Sequence, residues 1–286
     1  MHARNFEYMV LEVEKLTGIR EFIAKKKIYP MESVATTSSE ILGIEKPSDA
    51  LNTLIEEVVR DLKPSFRLGI ISLDALGLYA WYFHRESMPF LTSHIVEKSV
   101  ILKAVMPSIT PVNHATMVSG VPLEIHGIRT YDDNFKCETI FDVLRRRGLS
   151  SMGCGRPNWT GHRLLARYAD IKCISPESTD DSLLETFLEK CEKSKPTYFI
   201  IQFGDPDDYF HKYGPYSNRV SRILYNVDRR LKTLIDVLGE EYSFMILADH
   251  GQHTLITKTG EIKGKHGKSY KEDLLVPLTW IKSRKS

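Results

Sequence analysis

The chain contains 286 residues, enough for one large domain or for one domain with an appendage. Hydrophobic residues make up 42% and charged residues 27%, the balance of an ordinary globular protein, and a net charge of +2 is too small to favour nucleic-acid or membrane binding. No apolar stretch approaches the roughly 18 residues of a membrane span, and the amino terminus shows no apolar signal-peptide core. The four cysteines include no C-x-x-C pair, so we expect free thiols and a cytoplasmic location.

Residues 1–66 form the first predicted region, and their pattern favours helices. Apolar side chains recur at helical spacing in residues 6–16 and again in residues 51–62. The stretch between them, residues 34–50, predicts turns, with a helix start at Pro47. No residue cluster here indicates chemistry, so we expect a helical layer that packs on or extends the main domain, a lid, or a contact between subunits.

From residue 67 onward, short apolar runs alternate with helical patterns. Strands that are buried on both faces form such continuous runs, and their alternation with helices is typical of a parallel sheet covered by helices. We therefore predict an α/β domain over residues 67–286, with a mostly parallel central sheet flanked by helices. The predicted strands are RLGIISLD, SVILKAVMPS, LSSMGCG, TYFIIQFGD, YSFMILADH and LLVPLTWI.

Side chains that can bind metals follow several of these strands, at the ends where open α/β sheets bind ligands. Each has an ordinary explanation when taken alone, because a lone Asp most often caps a turn and Asp207 and His211 could form one helical-turn pair. Five segments, however, bring such residues to one edge of the same sheet, which indicates a metal site. The candidates are Asp74, Thr110, Asp205, Asp207, Asp208, His211, Asp249, His250, His253 and His266.

The candidate residue types favour zinc or manganese. Carboxylates, imidazoles and a hydroxyl are suitable ligands, and the absence of cysteine from the group argues against a structural zinc site. Three carboxylates and three imidazoles are enough for two divalent ions. In such centres the ions lie about 3.5–4 Å apart and stabilise the attacking and the leaving oxygen of an in-line displacement. The expected cofactor is a pair of divalent cations, Zn²⁺ first and Mn²⁺ as the alternative.

Five motifs resemble, in this order, the alkaline phosphatase superfamily, and most closely its type I phosphodiesterase/nucleotide pyrophosphatase branch. They are LDALG, ITPVNHATMVSGVPLEIHGI, DPDDYFHKYGP, ADHG and GKHG. ADHG alone would be weak, whereas T-x-x-N-H followed by the H-G-I and D-x-x-x-H-K-Y-G-P patterns is specific. The resemblance covers about residues 67–286 and implies the three-layer sandwich of that superfamily.

The resemblance also implies ligand sets for two ions. The first ion would be held by Asp74, Thr110, Asp249 and His250, and the second by Asp207, His211 and His266. It further implies that Thr110 attacks phosphorus to give a covalent phospho-threonine, which water then hydrolyses. Asp205, Asp208 and His253 match no ligand position, although His253 could support a ligand from behind.

Thr110 stands directly before Pro111, and this pair predicts a helix start. Proline favours the first helical position, so we expect Thr110 at the N-cap of a helix that runs through Met117. The positive end of that helix would face the same phosphate as the cations. A threonine hydroxyl is a weak nucleophile at neutral pH, and coordination to a cation is the expected means of its activation.

The chain departs from the resembled branch at two positions that concern the substrate. Tyr131 falls where the branch usually has an asparagine for the phosphoryl oxygen, and Pro111 falls where it often has an aromatic residue for a base. Residues 155–165 are polar and aromatic enough to line a pocket, although an ordinary loop explains them equally well. The candidate substrate contacts are Asn113, Arg129, Tyr131 and Trp159, with Asn158 and His162 as weaker candidates.

These observations predict a two-metal phosphohydrolase that cleaves a phosphodiester or pyrophosphate-type bond through Thr110. The alternatives on the same site are a phosphomonoesterase, a phosphonate hydrolase and a sulfatase-like hydrolase. A non-catalytic metal-binding relative is a further alternative, although such a protein would be expected to lack a ligand or the nucleophile. The expected partner is a small anionic phosphate ester, with no nucleic acid and no membrane, and a homo-oligomer stays open.

Overall fold

The computed structural model describes residues 16–285. Its helices are α1 (Ile19–Ala24), α2 (Ser33–Leu42), α3 (Glu56–Leu62), α4 (Leu78–His84), α5 (Pro89–Glu97), α6 (Thr110–Ser119), α7 (Leu123–His126), α8 (Ile140–Arg146), α9 (Ala166–Tyr168), α10 (Asp180–Ser194), α11 (Asp205–Tyr213), α12 (Ser221–Leu238) and α13 (Lys271–Leu274). Its strands are β1 (Ile28–Pro30), β2 (Leu68–Leu73), β3 (Val100–Lys103), β4 (Ser151–Gly155), β5 (Ile171–Ile174), β6 (Tyr198–Phe203), β7 (Ser243–Leu247), β8 (His253–Ile256), β9 (Ile262–Lys265) and β10 (Leu275–Ile281). A π-helical turn spans Gly161–Leu165.

An eight-stranded sheet in the order β1-β3-β10-β7-β2-β6-β4-β5 forms the centre of the fold. All neighbouring pairs are parallel except those of β10, which runs antiparallel to both β3 and β7. Helices flank the sheet, and the predicted α/β class is confirmed. Each of the six predicted strands is present, whereas β1, β5 and the separate hairpin of β8 and β9 were not predicted.

The three central strands β2, β6 and β7 are buried along their whole length, which explains their continuous apolar sequences. Ile70 of β2 lies in register with Ile200 on one side and with Met245 on the other. Gly69 is required for this packing, because a Cβ atom there would lie 2.2 Å from the ring of Phe199. The sheet centre is therefore an apolar frame, and polar chemistry is left to the strand ends.

The turns expected within residues 34–50 are wrong for the first half of that stretch. Residues 33–42 form α2, in which eight of the ten side chains are buried. Two of its threonine hydroxyl groups form hydrogen bonds inside the protein, since Thr36 donates to the carbonyl of Leu51 and Thr37 accepts from the amide of Ile55. Tertiary packing thus overrides the low helix propensity of serine and threonine.

The rest of the amino-terminal region joins the main domain directly. β1 pairs in parallel with β3 at one edge of the central sheet, and α2 packs against α6. The apolar pattern of residues 6–16 lies almost wholly outside the described residues, and no helix starts at Pro47, where the chain makes a turn. In the described part of the chain, no helix combines the length and apolarity that crossing a membrane requires.

Candidate active site

Asp74, Asp249 and His250, here called the buried cluster, meet at the ends of two paired strands. Asp74 directly follows β2, while Asp249 and His250 follow β7 after one residue. All three side chains have no exposed surface. Nε2 of His250 lies 3.3 Å from Oδ2 of Asp249 and 3.8 Å from Oδ1 of Asp74. The parallel pairing of β2 with β7 therefore creates this cluster.

Thr110 approaches the buried cluster from the start of α6. Its Oγ1 lies 3.1 Å from Nε2 of His250 and 3.5 Å from Oδ1 of Asp74. The expected N-cap position is wrong by one residue, because Ile109 has extended backbone angles and its carbonyl accepts the first helical hydrogen bond, from Asn113. Thr110 is thus the first helical residue, and α6 runs to Ser119, beyond the expected end at Met117.

Asp207, His211 and His266, here called the rim cluster, form a second group of possible ligands. Asp207 and His211 lie one turn apart on α11, and His266 follows β9. Nε2 of His211 lies 3.3 Å from Oδ1 of Asp207 and 3.2 Å from Nε2 of His266. These side chains are 14%, 42% and 16% exposed for Asp207, His211 and His266, so water reaches this cluster.

The two clusters are adjacent. The rings of His250 and His266 stack with their centroids 4.1 Å apart and their planes at 21°. Ligand atoms bound tetrahedrally to zinc at about 2.0–2.1 Å lie about 3.3 Å from one another, which matches the 3.1–3.8 Å separations within each cluster. Oδ2 of Asp249 is also buried without a hydrogen-bond partner, an arrangement that suits a cation. The residues present therefore fit two divalent ions.

Backbone carbonyl groups orient two of the imidazoles. Nδ1 of His211 lies 3.1 Å from the carbonyl oxygen of Gly264, and Nδ1 of His266 lies 2.9 Å from that of Ser108. A carbonyl oxygen only accepts hydrogen bonds, so Nδ1 of each ring carries a proton, and Nε2 is the nitrogen that can bind a metal once it is deprotonated. Both Nε2 atoms belong to the rim cluster.

Two glutamines hold the carboxylates. Gln202 of β6 donates from Nε2 to Oδ2 of Asp74 at 2.5 Å, and Gln252 donates to Oδ1 of Asp207 at 2.6 Å. Each glutamine thus fixes a carboxylate in a different cluster. Both were missed by sequence reasoning that considered only metal-capable residue types. Gln202 does carry a sequence signal, because it is a polar residue inside the apolar strand YFIIQF.

Protonation differs between the clusters in the metal-free protein. Burial, and then the charge of Asp249, raise the pKa of Asp74 well above its ordinary value. In the rim cluster, burial opposes ionisation of Asp207, but the hydrogen bond from His211 and the neighbouring imidazoles outweigh it and lower the pKa of Asp207. The same hydrogen bond raises the pKa of His211, whereas burial lowers the pKa of His266 to about 4. The surroundings therefore favour the charged forms of Asp207 and His211 in the rim cluster and disfavour the charged form of Asp74 in the buried cluster.

A cavity of about 530 Å³ opens beside Thr110. It is lined by three of the predicted substrate contacts, Arg129, Tyr131 and Trp159, and also by Asn158. Asn113 is not among its walls. That side chain is fully buried and bonds to the amide of Val105 and the carbonyl of Ile109, so the structure does not place this predicted substrate contact at the cavity.

The remaining polar candidates have partners that are not ligands of either cluster. Asp205 pairs with Arg230 at 2.6 Å, and Asp208 pairs with Arg156 at 2.9 Å. His253 lies 2.8 Å from the buried carboxylate of Asp273. His162 accepts a hydrogen bond from the amide of Asn158 and helps shape the loop rather than line the cavity. The buried Arg156 was not predicted from the sequence.

Solved structures share this fold. Human ectonucleotide pyrophosphatase/phosphodiesterase 5 superposes with a TM-score of 0.60 at 16% identity, covering 76% of this chain and 88% of that one. Phosphonoacetate hydrolase from Sinorhizobium meliloti 1021, in complex with phosphonoformate, superposes with a TM-score of 0.55 at 17% identity, covering 70% of this chain and 59% of that one. At these identities the similarity establishes the fold.

Curated relatives match at the sequence level. The venom phosphodiesterase CdcPDE of Crotalus durissus collilineatus is 28% identical over 189 residues, which is 54% of this chain and 22% of that protein. Ectonucleotide pyrophosphatase/phosphodiesterase family member 3 of Rattus norvegicus is 26% identical over 188 residues, again 54% of this chain and 21% of that protein. The matched region thus spans about a fifth of the length of these relatives.

The family model for type I phosphodiesterase/nucleotide pyrophosphatase matches residues 68–137 and 156–273. These ranges contain Thr110, both ligand clusters and the cavity residues Arg129, Tyr131 and Trp159. They cover more than half of the chain, and the resemblance seen in the five motifs is confirmed. The protein belongs to the type I phosphodiesterase/nucleotide pyrophosphatase family, within the alkaline phosphatase superfamily.

Proposed function

We propose that the protein is a metal-dependent hydrolase that cleaves a phosphodiester or pyrophosphate-type bond with Thr110 as the nucleophile. The observation that carries this proposal is the meeting of three features at one place. A hydroxyl lies 3.1 Å from one cluster of ligands, the second cluster stacks on the first through His250 and His266, and a cavity opens beside the hydroxyl. Membership of the family supports the same reaction class.

In the proposed reaction, Oγ1 of Thr110 attacks phosphorus and loses its proton, while the bond from phosphorus to the leaving oxygen breaks. Water then attacks the phospho-threonine, which releases the product phosphate and restores the hydroxyl. The buried cluster would hold one divalent ion together with Thr110, and the rim cluster would hold the other. When bound, the two cations would favour the ionised hydroxyl and balance the charge of the phosphoryl oxygens.

The cavity beside Thr110 supports a diester or pyrophosphate over a monoester. A monoester leaves its phosphate with only one substituent, whereas a diester or pyrophosphate carries a second group that also needs room. The cavity volume of about 530 Å³ falls in the usual range for small-molecule sites. Arg129, which is exposed at its wall, could contact a phosphoryl oxygen in place of the asparagine found in the resembled branch.

A panel of chromogenic esters tests the proposal. The metal-loaded protein is assayed with bis-para-nitrophenyl phosphate, para-nitrophenyl phosphate, phenylphosphonate and a para-nitrophenyl sulfate, after dialysis against either Zn²⁺ or Mn²⁺. We expect kcat/KM for the diester to exceed that for the monoester by at least about tenfold, which corresponds to about 1.4 kcal/mol of transition-state binding. A faster reaction with the sulfate or the phosphonate would overturn the assignment, as would no hydrolysis of any ester.

A further inference from the structure

Arg156 lies behind the candidate active site, among three carboxylates. It follows β4 and is only 3% exposed. Its Nη2 lies 2.9 Å from Asp208, its Nη1 lies 3.5 Å from Asp205, and its Nε lies 3.5 Å from Asp180. Two of these carboxylates stand in the first turn of α11, the helix that carries Asp207 and His211 of the rim cluster. The position of Arg156 is therefore linked to the position of those ligands.

The same guanidinium group supports a wall of the cavity. Its central carbon lies 3.7 Å from the ring centroid of Trp159, which is a close cation–π contact. Trp159 lines the cavity beside Thr110, whereas Arg156 does not. The guanidinium group thus contacts a residue of the cavity wall without lining the cavity itself.

Gly204 shows how little freedom this arrangement has. A Cβ atom at Gly204 would lie 2.1 Å from Nη2 of Arg156 and 2.7 Å from Cζ3 of Trp159. The backbone of Gly204 has φ −105°, an angle that any residue adopts, so the constraint comes from the neighbouring side chains. Space at this position is reserved for the stacked pair of Arg156 and Trp159.

We propose that Arg156 is a positioning residue that sets two parts of the site together, the rim cluster through α11 and the cavity wall through Trp159. This inference rests on the proposed function and adds to it a residue that determines substrate binding. Its charge neutralises the carboxylates that begin α11, and its flat shape holds the indole. Lysine supplies the charge without the flat, forked group, so the two contributions are separable by substitution.

Arg230 offers a matched control. It is 5% exposed, donates to Oδ2 of Asp205 at 2.6 Å and to Oδ1 of Asp181 at 2.6 Å, and comes from α12. It therefore shares the burial of Arg156 and one of its carboxylates. Within the described residues, Trp159 makes its cation–π contact with Arg156 and not with Arg230. Arg230→Lys and Arg156→Lys thus make the same chemical change on either side of Asp205.

The test compares Arg156→Lys, Arg156→Met, Gly204→Ala and Arg230→Lys in the full chain. Zn²⁺ affinity is measured by calorimetry, and KM and kcat are measured with bis-para-nitrophenyl phosphate. Acrylamide quenching of tryptophan fluorescence reports the wall, because Trp81 and Trp280 are 1% and 5% exposed and Trp159 is the half-buried indole.

Arg156→Lys should raise KM about tenfold and increase quenching, with kcat and Zn²⁺ affinity within about threefold of wild type. Arg156→Met should also weaken one of the two Zn²⁺-binding steps by about tenfold or more. This is the usual effect of losing a group that orients a metal ligand. Gly204→Ala should increase both quenching and KM, and Arg230→Lys should change neither. If Arg156→Met does not fold, Gly204→Ala still tests the contact between Arg156 and Trp159.

Equal effects of Arg156→Lys and Arg230→Lys on KM and quenching would overturn the proposal, because they would show a purely structural ion pair. Wild-type KM and quenching in Gly204→Ala would also overturn it. If the wild-type chain hydrolyses none of the esters, the proposed function fails. Calorimetry and quenching still decide the role of Arg156 in that case, because neither requires turnover.

Discussion

The buried cluster and the rim cluster contain the same kinds of ligand but differ in their access to water. Asp74, Asp249 and His250 are fully buried, whereas the side chain of His211 is 42% exposed. Without a cation, the buried cluster brings two carboxylates together away from solvent, and the pKa of Asp74 rises. The rim cluster balances itself through the ion pair of Asp207 with His211. The buried cluster thus depends on a cation for its charge balance far more than the rim cluster does.

The sharpest separation of the two clusters comes from Thr110, which contacts only the buried one. Thr110→Ala removes the proposed nucleophile and should lower kcat by about 10³-fold or more, as loss of a nucleophile does in other covalent hydrolases. The bound metal, counted by mass spectrometry of the native protein, should stay at two ions, because six carboxylate and imidazole ligands remain. Thr130→Ala, at another threonine of the cavity wall, serves as the control. Full activity in Thr110→Ala would exclude the covalent mechanism.

The two glutamines allow each cluster to be weakened in turn. Gln202→Leu frees Asp74, and Gln252→Leu frees Asp207. Each change should weaken one of the two metal-binding steps by about 10- to 100-fold, because groups that orient ligands contribute on this scale. Calorimetric titration of the metal-free protein with Zn²⁺ should show different steps affected in the two variants. The same step weakened in both variants would mean that the clusters do not bind ions separately.

Removing one charge should stabilise the metal-free form in the buried cluster but not in the rim cluster. Asp249→Asn keeps the acceptor for the amide of Ala75 and removes the repulsion on Asp74, so the free energy of unfolding without metal should rise by roughly 1–3 kcal/mol. Asp207→Asn breaks an ion pair with His211 and should lower the free energy of unfolding of the metal-free protein instead. Urea denaturation in the presence of a chelator measures both values.

The same comparison has a pH dependence with a defined sign. The pKa of Asp74 is raised in the folded metal-free chain, so above its ordinary value of 3.8 the folded chain binds more protons than the unfolded one. Stability of the metal-free protein should therefore fall as pH rises through this window. Asp249→Asn should reduce the slope, and an unchanged slope in that variant would refute the coupling between the two carboxylates.

His126 lies outside both clusters and gives a smaller effect of the opposite sign. It accepts a hydrogen bond at Nδ1 from the amide of Ile128, so the ring is neutral, and burial lowers its pKa to about 4. The unfolded chain binds more protons between pH 6.5 and 4, so His126 destabilises the fold as pH falls. Between pH 6.5 and 5.5 the metal-loaded wild type should lose about 1 kcal/mol relative to His126→Gln. Parallel stability curves for the two proteins would contradict this role.

The sequence indicated the ligand clusters because five separate segments bring metal-capable side chains to one edge of the predicted sheet. Asp74 and Asp249 meet because β2 and β7 pair in parallel, so that their carboxyl ends lie at the same edge. The supporting residues could not be predicted in the same way. Arg156 and Gln252 act through neighbours that are distant in sequence, and only the folded chain shows which carboxylate each one faces.

The secondary structure that was not predicted shares one physical feature, which is weak local preference. β5 reads IKCI with half-exposed positions, and α2 is rich in serine and threonine, which favour turns when they are solvated. Their conformations depend on neighbours, β4 for the strand and α6 for the helix. Asn113 illustrates the same limit for function, because burial rather than residue type removes it from the cavity.

The position of β1 has a consequence for attempts to shorten the protein. β1 supplies one edge of the sheet by pairing with β3, so a recombinant fragment that starts at residue 67 would uncover the amides and carbonyls of Val100–Lys103. Bare strand edges of this kind recruit strands from other molecules and promote aggregation. The smallest well-behaved fragment for crystallisation should therefore begin before Ile28.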